Sequence, residues 1–102
     1  MKLVFTGDLS CTGIFRESIL LGQEIFSESI LSFIKSADNV ICNFEGAATD
    51  LPNLYRTDLD VRSPKKTIQY FTERNIFIYN LANNHIFDCG EDGFVDTRNK
   101  IL

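Results

Sequence analysis

The sequence lacks the cysteine spacing that would indicate a disulfide framework or a thiolate metal site. Its three cysteines, Cys11, Cys42 and Cys89, are odd in number and widely spaced. Cys42 lies inside an apolar run, where a free cysteine behaves as a small core residue. Unpaired cysteines suit a reducing compartment. The chain also has no signal-peptide-like start and no run of membrane-spanning length, so we expect a cytoplasmic location without a membrane segment.

Basic clusters are scarce as well. The net charge is −4, and the largest group of neighbouring basic residues is Lys65-Lys66. Nucleic acids and anionic membrane surfaces are therefore poor candidates for partners. Hydrophobic residues make up 44% of the 102 residues, which is ordinary for a globular protein. The length allows one small domain, residues 1–102, with little spare stability.

Three apolar runs predict β-strands, and the third is almost unbroken, as in a strand that is buried on both faces. The predicted strands are Lys2–Thr6, Val40–Phe44 and Ile76–Asn80. Residues 9–22 contain two glycines, so we expect a loop with at most one helical turn. Residues 45–62 are polar and contain Pro52, which predicts an irregular excursion.

Helices are predicted between and after these strands. Apolar residues recur at helical spacing from Glu24 to Lys35. Ser63 and Pro64 favour a second helix start, as N-cap and first helical residue, and that helix would end near Asn75 with its apolar residues Ile68 and Phe71 turned inward. A third helix is predicted from about Glu91. The alternation predicts an α/β fold, with a mostly parallel sheet of about three strands and flanking helices.

Residues that can bind a hard cation stand at the end of each predicted strand. They are Asp8, then Asn43 and Glu45, then Asn84 and His85. Because the carboxyl ends of parallel strands lie at one edge of a sheet, we expect these side chains to converge. Carboxylates, amide oxygens and one imidazole suit Mn²⁺, Mg²⁺, Zn²⁺ or iron. Such a metal polarises phosphoryl oxygens and lowers the pKa of bound water.

Each of these residues also has a structural interpretation. Asp8 and Asn43 are common turn residues, and Glu45 beside Gly46 suits a solvated loop charge. Asn83-Asn84 suits a turn with left-handed conformations, and a single histidine such as His85 is often structural. Asp88 is expected to cap the last helix. The occurrence of such residues at all three strand ends favours a site.

Three motifs, in this order, resemble the CapA family of poly-γ-glutamate or capsule biosynthesis, which is related to the calcineurin-like metallophosphoesterases. They are Phe5–Asp8 (FTGD), Asn43–Gly46 (NFEG) and Leu81–His85 (LANNH), followed by Asp88, Gly90, Gly93 and Thr97. The resemblance extends over essentially the whole chain. It implies a four-layer α/β/β/α sandwich, of which this chain would be a truncated N-terminal half.

Carried over to this sequence, the resemblance implies that Asp8 and Glu45 bind the metal and that Asn84 is an amide ligand. His85 would contact the substrate or act as a general acid. Supporting roles would fall to Asn43, Asn83 and Asp88. The wider superfamily usually has a histidine two residues after its first aspartate, where this chain has Ser10. Further histidine ligands would come from a missing segment or a partner chain.

Three functional hypotheses follow. The first is a metal-dependent, phosphoesterase-like hydrolase acting on a phosphate-containing or acidic, polymer-related small substrate. The second is a non-catalytic remnant or binding module that retains the half-fold. The third, a nucleotide-binding domain, is disfavoured because residues 7–13 lack the Lys-Ser/Thr of a P-loop and the three-glycine fingerprint. A half-sandwich would expose apolar sheet surface, which predicts a homodimer or association with a completing chain.

Overall fold

The computed structural model of the chain describes residues 1–55 and 60–102. Strands β1 (Leu3–Leu9), β2 (Asn39–Phe44) and β3 (Ile78–Asn80) form one parallel sheet in the order β1-β2-β3. The helices are α1 (Ile14–Leu20), α2 (Glu28–Lys35), α3 (Thr67–Thr72) and α4 (Gly90–Ile101). The predicted α/β class, with its three-stranded parallel sheet and flanking helices, is confirmed. The arrangement is compatible with part of a metallophosphoesterase-like sandwich.

Strand β1 continues past Thr6, where the sequence predicted its end. The pairing with β2 shifts register between Phe5 and Asp8, and Gly7 has a φ of 75° at this irregularity. Glycine adopts this left-handed conformation without steric cost, and such bulges redirect the following side chains. As a result Asp8 lies within the strand, opposite Asn43 of β2, rather than in a turn after it.

Helix α1 corrects the prediction of a loop over residues 9–22. It comprises seven residues, Ile14–Leu20, and Ile19 is its one buried residue. Ile14 is 76% exposed and Leu20 is half-exposed. Because these apolar residues do not form one buried stripe, the helical period is not visible in the sequence.

Helix α2 is shorter than the predicted 24–35. Its first turn is fixed by Ser27, whose side chain accepts a hydrogen bond from the Ile30 backbone N–H, as an N-cap residue does. Ile34 is buried as expected, whereas Ile30 and Phe33 are about half-exposed. The predicted inward stripe is therefore only partly formed.

The start predicted for the second helix is also wrong. Helix α3 begins at Thr67 after Lys66. Ser63 is fully buried, accepts a hydrogen bond from the Cys11 backbone N–H at 2.8 Å, and forms a β-bridge with Ala48. Its side chain therefore joins two loops instead of capping a helix.

Two further helix predictions agree with the structure. Ile68 and Phe71 of α3 are turned inward as predicted, and α4 begins one residue before the predicted position. The predicted excursion over residues 45–62 includes residues 56–59, which lie outside the described residues. No helix within the described ranges is long and apolar enough to cross a membrane.

The core lies on one face of the sheet. Val40, Cys42 and Phe44 of β2 are buried there, as expected for Cys42, and the Phe44 ring meets the Phe71 ring of α3 edge-on, with centroids 6.2 Å apart. Edge-on aromatic pairs contribute beyond the area that they bury. This face therefore holds the helices on the sheet.

The opposite face remains open. Its apolar side chains, which we call the open sheet face, are Leu3, Phe5, Ile41 and Ile78. Phe5 is 71% exposed and Ile78 is 44% exposed, so the expectation that the third strand is buried on both faces is wrong. Parallel sheets are normally covered on both faces, and this one is covered on a single face by the described residues.

We expect two copies of the purified chain to associate through the open sheet face, because exposed apolar patches promote association. The change Phe5→Glu places a charge within the patch and should shift sedimentation-velocity distributions towards the monomer. Leu21→Glu is the matched control, since Leu21 is also 71% exposed but follows α1 instead of lying on the sheet. A wild-type chain that stays monomeric over a wide concentration range would contradict this prediction.

Candidate functional site

The side-chain amide of Asn43 joins two carboxylates at the carboxyl edge of the sheet. Its Nδ2 donates to Asp8 Oδ1 at 2.6 Å and to Glu45 Oε2 at 3.0 Å. Asp8 comes from β1, and Glu45 directly follows β2. The structure thus brings together three of the residues that the sequence predicted to converge. Asn43 lies inside its strand rather than in a turn.

The orientation of the Asn43 amide is fixed from its other side. Asn43 Oδ1 accepts from Asn80 Nδ2 at 2.9 Å and from Asn83 Nδ2 at 3.5 Å. With two donors at its oxygen, the amide must present its NH₂ group to the carboxylates. A chain of side-chain hydrogen bonds therefore crosses all three strands.

The turn after β2 depends on a glycine. Gly46 is buried with a φ of 79°, and a Cβ atom there would lie 2.6 Å from the Val61 backbone oxygen. No larger residue fits without moving this backbone. The close packing sets the path of the chain beside Glu45.

His85 and Asp88 form a hydrogen-bonded pair in the loop after β3. His85 Nδ1 lies 2.6 Å from Asp88 Oδ2, and the two side chains are only 22% and 12% exposed. With Nδ1 bonded to the carboxylate, Nε2 is the ring nitrogen that remains for another group. The interpretation of Asp88 as a helix cap is wrong, because the N-cap of α4 is Cys89 and no side chain caps that end.

Asn83 and Asn84 occupy different environments. Asn84, the predicted amide ligand, is exposed, and its side chain has no hydrogen-bond partner within residues 1–55 and 60–102. Asn83 is partly buried between the turn after β2 and the His85 loop. Asn80, which donates to Asn43 Oδ1, was not among the predicted site residues. Its position as the last residue of the third predicted strand was the available signal.

The donor set suits a hard cation in part. Asp8 and Glu45 offer carboxylate oxygens of the kind that Mg²⁺ and Mn²⁺ prefer. However, the described part of the chain contains no group of three or more His, Cys, Asp or Glu side chains that could hold a metal.

Burial raises the pKa of the Cys11 and Cys42 thiols to about 12, and burial also raises the pKa of Cys89. The thiols are therefore protonated at neutral pH, which disfavours their use as nucleophiles.

Comparison with known proteins identifies the family. Residues 2–101 match the family model described as bacterial capsule synthesis protein PGA_cap. The chain belongs to this family. It is also similar to the PGA biosynthesis protein CapA of Bacillus subtilis (strain 168), with 27% identity over 99 residues, covering 91% of this chain and 25% of that relative. This PGA_cap chain therefore spans about a quarter of the length of its curated relative, and the resemblance to the CapA family is confirmed.

The central position of Asn43 in this PGA_cap chain yields a stability prediction. Asn43→Asp replaces an amide donor by a third carboxylate that faces Asp8 and Glu45. We expect the free energy of unfolding to fall at pH 7 by about 1–3 kcal/mol, because hydrogen bonds are lost and like charges meet. Protonation of the carboxyl groups removes the repulsion, so the deficit should shrink as the pH falls towards about 4.

Asn39→Asp is the control for this measurement, since Asn39 lies on the same strand and the same face, away from Asp8 and Glu45. Urea denaturation of both variants and the wild type at the two pH values tests the prediction. An equal loss of stability in both variants, or a loss that does not depend on pH, would show that the carboxylates do not interact at Asn43.

Proposed function

We propose that this chain takes part in poly-γ-glutamate or capsule biosynthesis through a divalent-metal site at the carboxyl edge of its sheet. The family assignment supports the biological process. The observation that carries the site is the meeting of Asp8 and Glu45 at the Asn43 amide, next to a loop that contains the His85–Asp88 pair.

In this proposal Asp8, Glu45 and the amide oxygen of Asn84 hold the metal. Mn²⁺, Mg²⁺, Zn²⁺ and iron are the candidates. When bound, the metal would polarise a phosphoryl oxygen and lower the pKa of a coordinated water. Its positive charge would also allow a chain of net charge −4 to bind a phosphate-containing or acidic, polymer-related small substrate.

His85 is proposed as the catalytic acid. Asp88 holds the ring through Nδ1 at 2.6 Å, which leaves Nε2 for the substrate. In its doubly protonated form the ring would donate the Nε2 proton to a leaving oxygen. A positioned histidine of this kind contributes about 10²–10⁴-fold to a rate. The reaction class is phosphoester hydrolysis, with the remaining metal ligands supplied by a partner chain or by a segment outside residues 1–102.

The second candidate function is a non-catalytic remnant or binding module that keeps the half-fold. One observation favours it: Asp8 and Glu45 have no third acidic, histidine or cysteine neighbour within the described ranges with which to hold a metal. In that case the Asn43 network serves to join the strand ends. A binding module of this kind would bind metal weakly or not at all.

Calorimetric titration of the metal-stripped chain with Mn²⁺ tests the proposed site. We expect saturable binding to the wild type and at least about tenfold weaker binding to Glu45→Gln, because a charged carboxylate ligand is replaced by a neutral amide. Glu28→Gln is the matched control, because Glu28 is an exposed residue in the first turn of α2. It should bind like the wild type.

Two results would contradict the metal proposal: a folded wild-type chain that does not bind Mn²⁺, or equal affinities for wild type and Glu45→Gln. Either would favour the binding-module function. If Mn²⁺ binds, hydrolysis of a phosphoester by the wild type and its loss in His85→Ala would distinguish an enzyme from a metal-binding remnant.

A further inference from the structure

The side chain of Asn83 uses all of its hydrogen-bonding capacity. Its Oδ1 accepts from the backbone N–H groups of Gly46 at 3.3 Å and His85 at 3.1 Å. Its Nδ2 donates to the Phe44 backbone oxygen at 2.7 Å and to Asn43 Oδ1 at 3.5 Å. An asparagine amide offers two acceptor and two donor positions, so none is left for a ligand.

These four bonds connect two segments that are far apart in the sequence. Phe44 and Gly46 flank Glu45, and their backbone atoms bond to opposite ends of the same amide. The same oxygen that accepts from Gly46 also accepts from His85. The backbone on either side of Glu45 is thereby held against the loop that begins at His85.

The arrangement differs from that of an ordinary turn asparagine. A turn asparagine bonds to its own neighbours, as the His85 contact alone would indicate. Three of the four partners of Asn83 lie about 40 positions earlier in the chain. Asn84, by contrast, is exposed and remains available as a ligand.

We propose that Asn83 is a positioning residue that fixes the Glu45 turn relative to the His85 loop, so that the carboxylate pair and the histidine face a common ligand. This inference rests on the metal site proposed above. Asn83 acts through Glu45 and His85 and touches neither metal nor substrate. In this proposal the two neighbouring asparagines have different roles: Asn83 aligns the site, and Asn84 faces the ligand.

Amide hydrogen exchange measured by NMR on the metal-free chain tests the connection. Gly46 and His85 should exchange slowly in the wild type, and both should accelerate together by about tenfold or more in Asn83→Ala, because they lose one shared acceptor. Asn83→Asp keeps an oxygen at the acceptor position but loses both donated bonds, and its second oxygen faces two acceptors. Both amides should therefore accelerate together, by less than in Asn83→Ala. This second variant provides the test if Asn83→Ala does not fold.

Asn75→Ala is the structural control. The Asn75 amide donates to the Ile34 and Ala37 backbone oxygens at 2.9 and 3.1 Å, away from the site. Its loss should lower the stability and leave the exchange of Gly46 and His85 no faster than global unfolding requires.

In calorimetry with Mn²⁺, Asn83→Ala should weaken binding by about 10–100-fold, the range known for residues that orient metal ligands. Asn75→Ala should not.

Unchanged exchange of either amide in Asn83→Ala, or acceleration of only one of the two amides in either variant, would overturn the inference. So would Mn²⁺ binding that falls no further in Asn83→Ala than in Asn75→Ala. A wild-type chain that binds no Mn²⁺ contradicts the metal site itself. The exchange data, collected without metal, would still decide whether Asn83 joins the two loops.

Discussion

The register of the central strand β2 against its two neighbours is the constraint on which the rest of the structure depends. It places Asp8 of β1 and Asn80 of β3 on either side of Asn43. The Asp8 position requires the irregularity at Gly7, because an uninterrupted strand would give Asp8 a different partner and turn its side chain to the other face. Once these three residues are aligned, the Asn43 amide has one orientation that satisfies all of its neighbours.

The precision of the site comes from polar contacts and close backbone packing. Gly46 leaves no room for a side chain beside Val61, and Asn83 joins the turn at Gly46 to the His85 loop. The hydrophobic core lies on the helix-covered face, with Phe44 and Phe71 fully buried. A small domain that covers its sheet on one face has limited apolar burial to stabilise it. The hydrogen bonds at the sheet edge therefore contribute much of what fixes the local conformation there.

The sequence was sufficient to predict the alternation of strands and helices, the parallel sheet and the meeting of Asp8 with Glu45. These follow from apolar periodicity and from the rule that parallel strands end at one edge. The bulge at Gly7 was not predictable, because a glycine before an aspartate is equally typical of a turn.

Other features depend on tertiary contacts that leave no periodic pattern. Helix α1 buries a single residue, Ile19. Asp88 lies just before α4, where an aspartate is typical of a helix cap, but its side chain pairs with His85 instead. The sequence of the third strand predicts burial on both faces because Phe77 and Ile78 are apolar, whereas both side chains are about half-exposed in the structure. The role of Asn83 as a four-bonded link is likewise visible only in three dimensions.

Paramagnetic relaxation mapping with substoichiometric Mn²⁺ on the ¹⁵N-labelled chain would locate the bound metal. We expect selective broadening of the amide signals around Asp8, Glu45 and Asn84, which come from three separate segments of the chain. Broadening centred instead on the other acidic side chains, such as Asp92 and Asp96 of α4, would contradict this expectation. Such a result would show that the edge of the sheet does not form the metal site.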